Sequence, residues 1–210
     1  MTRQEYSTSI AHNLLKIGAI KFNFEEPFTW TSGIKSPVYC DNRLSLSYVE
    51  TRNLIRDAYI MVIREEFPDV EVIAGVATGA IAQGVLAADK LGLSFIYLRD
   101  KPKNCGLGKI IEGALEKGQK TVIVEDLVST GGSSIKVMEE LRKSGANVLG
   151  MVSILSYELP IAEKNFKTSN CKLFTLSDFS TLLAVALEKE LITKEEIDML
   201  HKWKNDLHHS

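Results

Sequence analysis

At 210 residues the chain is long enough to bury a substantial core, as one generous domain or a domain with a small appendage. Its 45% hydrophobic and 25% charged residues are those of an ordinary soluble protein, and 25 basic against 27 acidic side chains leave a formal charge of -2, which carries no broad nucleic-acid footprint. The three cysteines, Cys40, Cys105 and Cys171, stand far apart with no CxxC pair, which argues against a zinc site or a disulfide framework and for a reducing cytoplasm.

The amino terminus, with Arg3, Gln4 and Glu5, lacks the apolar core of a signal peptide, so a cytosolic protein with no membrane partner is expected. Residues 2–17 place Ile10, Leu14 and Ile17 at helical spacing and stop at Gly18. Residues 19–22 read as a short strand, and Pro27 breaks the chain before the segment from Phe28 to Arg43. That segment, FTWTSGIKSPVYCDNR, reads as two short strands around a Ser32-Gly33 turn, with Ser36-Pro37 fixing the start of the second. Tyr39 then presents an aromatic face near Lys35 and Arg43, the partners a flat, anionic heteroaromatic base would need; the alternative is a hairpin whose Trp30 and Tyr39 only pack on the core.

Ser47-Tyr48-Val49-Glu50 fits a capping box, and Leu54, Ile55, Ala58, Tyr59, Val62 and Ile63 continue a helical stripe toward Phe67. Residues 72–76 read as a buried strand entering the turn Ala77-Thr78-Gly79-Ala80, which offers backbone N–H groups and the Thr78 hydroxyl. A helix over 81–91, stopped by Gly92, and a strand over 94–98 complete a βαβ pattern. From residue 99 to 113 the composition changes: Arg99, Lys101, Lys103 and Lys109 are interleaved with Pro102, Asn104, Gly106 and Gly108. Few apolar anchors predict a mobile lid that orders around an anion, with a solvated charged loop as the alternative.

Strands are expected over 110–115 and 121–124, the second opening the string VIVEDLVSTGGSS at 122–134. Its apolar run is a buried strand, so Glu125 and Asp126 emerge at the carboxyl end, where open α/β sheets bind ligands. The small or hydroxylic residues that follow let backbone N–H groups and the Ser129, Thr130 and Ser133 hydroxyls converge on one anion, aided by the positive end of a helix beginning near Ile135. The carboxylates repel phosphate and suit ribose hydroxyls or a cation, so together the two halves imply a sugar phosphate. A strand is expected over 148–155, followed by Ser156-Tyr157-Glu158, then a strand over 173–176 and helices over 179–190 and 195–206, with Thr193 and Glu196 capping the last. No Ser/His/Asp set, HExxH or Walker sequence occurs.

The 122–134 string resembles the phosphoribosyl-pyrophosphate (PRPP) motif of the type I phosphoribosyltransferases, and the segment from Phe28 to Arg43 resembles the amino-terminal signature of the orotate phosphoribosyltransferases. The likeness runs from about the first helix to the last. It implies an α/β chain of the type I phosphoribosyltransferase fold, a central mainly parallel sheet flanked by helices, as a single domain over 1–210 with a small hood from about 1–45 and a flexible catalytic loop from about 99–113. The implied reaction joins orotate and PRPP to give orotidine 5′-monophosphate and pyrophosphate in pyrimidine biosynthesis. In the family, the turn at 77–80 lines the pyrophosphate pocket, and some members carry a lysine where Gly79 stands.

Residue by residue, the resemblance gives catalytic roles to Lys103, Arg99 and Asp126, with Arg99 at the base of the loop. PRPP binding falls to Arg99, Lys103 and Cys105 and to Glu125, Asp126, Leu127, Val128, Ser129, Thr130, Gly131, Gly132 and Ser133. Orotate binding falls to Ser129, Lys35, Tyr39 and Tyr157. Three positions depart from the family: Asp100 stands where many members have a second lysine, Cys105 where they usually have histidine, and Tyr157 where an arginine often pairs the base's carboxylate. Lys101 shares an extended face with residues 99 and 103 and is the candidate replacement for the missing cation; Lys35 or Arg43 is the candidate partner of the carboxylate. Mg²⁺ is implied, carried by the pyrophosphate without direct side-chain ligation, and so is a homodimer whose loop reaches the partner's site. Competing readings are a relative using another base, a PRPP-sensing regulator that binds nucleic acid, and a passive sugar-phosphate-binding module.

Overall fold

A computed structural model describes residues 1–30, 33–99 and 110–207. In chain order they form α1 (Arg3–Lys16), β1 (Ile20–Phe22), β2 (Phe28–Thr29), β3 (Lys35–Ser36), β4 (Val38–Cys40), a 3-10 turn (Asn42–Ser47), α2 (Val49–Glu66), β5 (Val72–Val76), α3 (Ile81–Leu91), β6 (Ser94–Leu98) and β7 (Ile111–Glu112). Then follow β8 (Lys120–Val128), α4 (Gly132–Lys143), β9 (Asn147–Ser156), α5 (Pro160–Thr168), β10 (Leu173–Asp178), α6 (Phe179–Glu188) and α7 (Lys194–Asp206). Six strands make the central sheet in the order β10-β9-β8-β5-β6-β7, parallel except for the short β7.

Period-two alternation explains why the sheet is covered on both faces. Val122 and Val124 of β8, with Val152 and Ile154 of β9, face the layer built from α1, α2, α3 and α6, whereas Ile123 and Met151 face α4 and α5. A parallel sheet buried on both sides needs unbroken apolar runs, and each such Val or Ile contributes about 1.5–3 kcal/mol on burial. The parallel strands carry their carboxyl ends to one edge, where the sequence places the acid pair and the hydroxyl-rich loop.

Several expectations are corrected. Strand β8 runs on to Val128, so Glu125 and Asp126 lie within it, and α4 starts at Gly132 rather than near Ile135. Tyr48, not Ser47, precedes α2 and no side chain caps that helix, because Ser47 is engaged in the 3-10 turn. The strand after Pro37 does not close the hairpin: β2 pairs with β3, while β4 pairs with β1. Within the expected 1–45 hood, Ile10, Ala11 and Leu14 bury α1 in the main core against α6 and β10, and Ile20, Val38 and Cys40 of β1 and β4 join the same core. Helix α5 is not among the expected elements. Pro160 opens it at a position where its missing N–H costs nothing, and Ala162 and Phe166, one turn apart, bury against α4 and the sheet.

Candidate active site

The loop between β8 and α4 is built for an anion. Gly131 adopts φ 76°, ψ -2°, the left-handed conformation that turns the chain into α4, and no side chain caps that helix. The loop is held from behind by α5: Asn165 Nδ2 donates to the Thr130 carbonyl at 2.9 Å, and a methyl group on Gly131 would come within 2.8 Å of Phe166 Cε2. Uncapped amides at a helix start, beside Ser129, Thr130 and Ser133, attract a phosphate.

The two carboxylates differ in environment. Glu125 is 5% exposed; its carboxylate accepts hydrogen bonds from Ser134 Oγ at 3.0 Å and from the Asp126 N–H at 3.0 Å. Burial, then the neighbouring Asp126 charge, pushes Glu125 well above the usual carboxylate range. Asp126 is half-buried, and its carboxylate lies against the turn after β5, where a methyl group on Gly79 would come 1.9 Å from Oδ2. The backbone beneath the pair is fixed from outside the strand. Tyr59 of α2 donates to the Glu125 carbonyl, and buried Asn42 donates from Nδ2 to the Asp126 carbonyl at 2.7 Å. Asn42 Oδ1 also accepts from the Cys40 thiol at 3.1 Å; burial foremost holds that thiol in its neutral form.

Facing the loop across a cavity of about 560 Å³ stands the hood. Thr29, Trp30, Tyr39 and Cys40 line one side, Leu127, Ser129, Thr130 and Ser133 the other, with Tyr157 between. Tyr39 packs on Phe28 with ring centroids 5.5 Å apart, and Trp30 packs on Tyr157 at 4.6 Å. The Tyr157 ring is almost wholly buried, and its hydroxyl has no hydrogen-bond partner among the described residues. The Lys35 ammonium donates to Oγ1 of Thr29, a cavity residue, at 2.7 Å, whereas Arg43 is paired with Asp41 at 2.7 Å. Val128 is fully buried, and its carbonyl accepts from the Tyr157 N–H, so this residue stands behind the cleft and not in its lining.

Arg99 stands at the end of β6, its guanidinium 3.7 Å from Glu112, and shares a smaller cavity of about 250 Å³ with Ser133 and Lys136. The expected lid residues Asp100, Lys101, Lys103 and Cys105 lie outside the described residues. The structure therefore brings Tyr39, Leu127, Ser129, Thr130, Ser133 and Tyr157 to one cleft, with Lys35 bonded to Thr29 of its lining and Arg99 in the smaller cavity that Ser133 also lines, whereas the Asp126 carboxylate points to the turn at Gly79. Sequence reasoning gave no role to Asn42 or Ser134, though both lie in quoted strings, because their parts are hydrogen bonds to residues distant in the chain or on the next element. Asn165 and Trp30 Nε1, which donates to the Val38 carbonyl at 3.3 Å, left no local signal at all.

A family model described as a phosphoribosyl transferase domain matches residues 52–180. The orotate phosphoribosyltransferase of Streptococcus pneumoniae serotype 4 is 52% identical over 197 residues, which cover 94% of each chain. That of Streptococcus thermophilus (strain CNRZ 1066) is 51% identical over 200 residues, covering 95% of this chain and 96% of the relative. Among solved structures, orotate phosphoribosyltransferase from Aeropyrum pernix superposes with a TM-score of 0.71 at 27% identity, over 83% of this chain and 96% of that one. The UMP synthase of Leishmania donovani shares the fold with a TM-score of 0.82 at 24% identity, over 95% of this chain and 42% of that one.

Proposed function

Because the chain belongs to the orotate phosphoribosyltransferases of the phosphoribosyl transferase family, we propose that the cleft between its hood and the β8–α4 loop is where orotate meets PRPP. The chain transfers the 5-phosphoribosyl group from PRPP to orotate, giving orotidine 5′-monophosphate and pyrophosphate in pyrimidine biosynthesis. The observation that carries the assignment of the site is the cavity itself, with an anion-binding loop on one wall and an aromatic hood on the other.

The division of labour follows from the chemistry of each wall. The amides at the start of α4, including those of Gly131 and Gly132, and the Ser129, Thr130 and Ser133 hydroxyls take the 5′-phosphate. Asp126 takes the ribose hydroxyls as an acceptor; Glu125, with its carboxylate already engaged by Ser134, holds the Asp126 backbone in place. Leu127 closes the sugar's side of the cleft. Tyr39 and Tyr157 give the base its aromatic walls, Ser129 and Lys35 offer it donors, and the Tyr157 hydroxyl, unpartnered but enclosed, reaches the carboxylate that an arginine often meets in the family only when the ring shifts toward the cavity. Arg43 is the weaker candidate for that task, because Asp41 already neutralises it.

Breaking the bond to pyrophosphate builds positive charge on the sugar and negative charge on the leaving group. No nucleophilic side chain is required; positioning and cations aimed at the departing oxygens suffice. Arg99 and Lys103 are proposed for that role, with Lys101 and Cys105 in the same loop. The protein's donor set suits a metal carried by substrate, since Asp126 is the one carboxylate of the acid pair left free of the Ser134 bond. When bound, Mg²⁺ spreads the pyrophosphate's charge. We propose a cytoplasmic homodimer with the loop completing the partner's site; the free, buried thiols of Cys40 and Cys171 suit a reducing compartment.

The direct test mixes the protein with orotate, PRPP and Mg²⁺ and follows the loss of orotate absorbance. Loss that requires all three supports the reading; turnover of another base with none of orotate would defeat it. Mixing inactive Lys103→Ala with inactive Asp126→Asn protein tests the shared site, because hybrid dimers regain activity only if one subunit's loop serves the other.

A further inference from the structure

The last helix, far along the chain from every motif, touches both sides of the base pocket through adjacent residues. Trp203 of α7 donates from Nε1 to the Lys35 carbonyl at 2.8 Å, among the described residues the longest-range hydrogen bond between the hood hairpin and the body of the protein. Its ring meets Trp30 edge-on at 5.7 Å and 85°, Tyr157 at 6.4 Å and 79°, and Phe179 at 6.2 Å. Lys204, the next residue, reaches Glu158 at 3.4 Å. Glu158 directly follows Tyr157, has a left-handed backbone of φ 52°, and also accepts from the Ser180 amide at 2.9 Å and the Ser180 hydroxyl at 2.6 Å. A non-glycine residue holds that backbone only where its surroundings over-determine it. One helical turn therefore grips the hood through Trp203 and the Tyr157 turn through Lys204.

We propose that Trp203 and Lys204 are positioning residues that set the spacing between hood and Tyr157, and so the width of the slot that admits a flat base. Neither lines the cavity nor touches the phosphate loop, so their effect falls on the base and spares PRPP. Edge-on indole contacts and one carbonyl hydrogen bond are directional, so the grip fixes an angle as well as a distance. The inference rests on the reading that orotate binds beneath the hood.

The test is the kinetics of Trp203→Phe, which keeps an aromatic edge and removes the N–H donor. The KM for orotate should rise about three- to tenfold while that for PRPP and kcat stay within about twofold. The chain has two tryptophans, so this variant also leaves Trp30 as the sole indole reporter in the pocket; orotate titration of its fluorescence should give a Kd weakened in the same proportion. Lys204→Met, which breaks one ion pair at the rim of the fold, should raise the orotate KM about twofold with PRPP unaffected, and it carries the test should Trp203→Phe fail to fold. An unchanged orotate KM in both variants, or equal losses for orotate and PRPP, would overturn the proposal. Tyr39→Ala separates this from the underlying reading: if it too leaves the orotate KM unchanged, the base does not sit beneath the hood, whereas a rise there with none in the α7 variants defeats the clamp alone.

Discussion

Gly131→Ala tests whether the β8–α4 loop is held in shape by α5. The residue's φ of 76° is costly for any side chain, about 1–2 kcal/mol. The added methyl would also meet Phe166 Cε2 at 2.8 Å, closer than real contacts allow, and Phe166 is buried with little room to retreat. Overpacking of this kind costs about 1–3 kcal/mol, so the two terms together come to about 2–5 kcal/mol. In a chain of this size that lowers Tm by about 4–20 °C. If the loop gives way instead of Phe166, the cost moves from stability to the KM for PRPP, because the amides at the start of α4 no longer converge. The assay is urea unfolding together with KM values for both substrates, on Gly131→Ala, Phe166→Leu and the double variant. Shrinking Phe166 should recover the steric part and leave the backbone part, giving a favourable coupling of about 1 kcal/mol. A Gly131→Ala variant that keeps both its stability and its PRPP affinity, or strict additivity of the two substitutions, would mean that α5 does not hold the loop in shape.

Three further outcomes follow from the same geometry. Asn42→Ala leaves the part-buried Asp126 carbonyl without its 2.7 Å donor, so it should cost about 1–3 kcal/mol and weaken PRPP binding; a melting curve and PRPP affinity like those of the parent would show that the bond is idle. Glu125 has a folded pKa raised above its ordinary 4.5, so the folded state binds its proton more tightly than the unfolded chain does. Its contribution to stability is greatest below the ordinary value and declines as pH rises through the folded one; Glu125→Gln should abolish that decline while keeping an acceptor for Ser134, and an identical pH slope in urea titrations would contradict the assignment. Tyr157→Phe removes a buried hydroxyl that has no partner among the described residues, so Tm should hold or rise while the KM for orotate rises about three- to tenfold. Loss of stability without a change in that KM would mean that the hydroxyl serves the fold and not the base.

Much of the site was legible because its chemistry is local. The run from Val122 to Val124 is apolar on both faces, which only a buried strand accommodates, and the hydroxyl-rich loop with its glycines can form an anion cradle wherever the strand ends. The same holds for the βαβ order and for the Thr193–Glu196 capping box of α7, which forms within a single turn. Helix α5 escaped notice because only two of its residues face the core, too few for a periodic signal, although one of them is the wall behind Gly131.

What tertiary structure decided is which of two adjacent carboxylates is free. Alternation along β8 puts Glu125 and Asp126 on opposite faces, but only the packing of α4 sets Ser134 against Glu125 and leaves Asp126 to the turn at Gly79. Likewise, Tyr39 and Trp30 acquire a shared cavity with Tyr157 through pairings that join β1 to β4 and Trp203 to Lys35, across as many as 168 residues. Sequence carries propensities that act over a turn or a strand. Contacts at such separations form only when many buried surfaces are satisfied together, so their outcome is a property of the whole core and cannot be read from any one stretch.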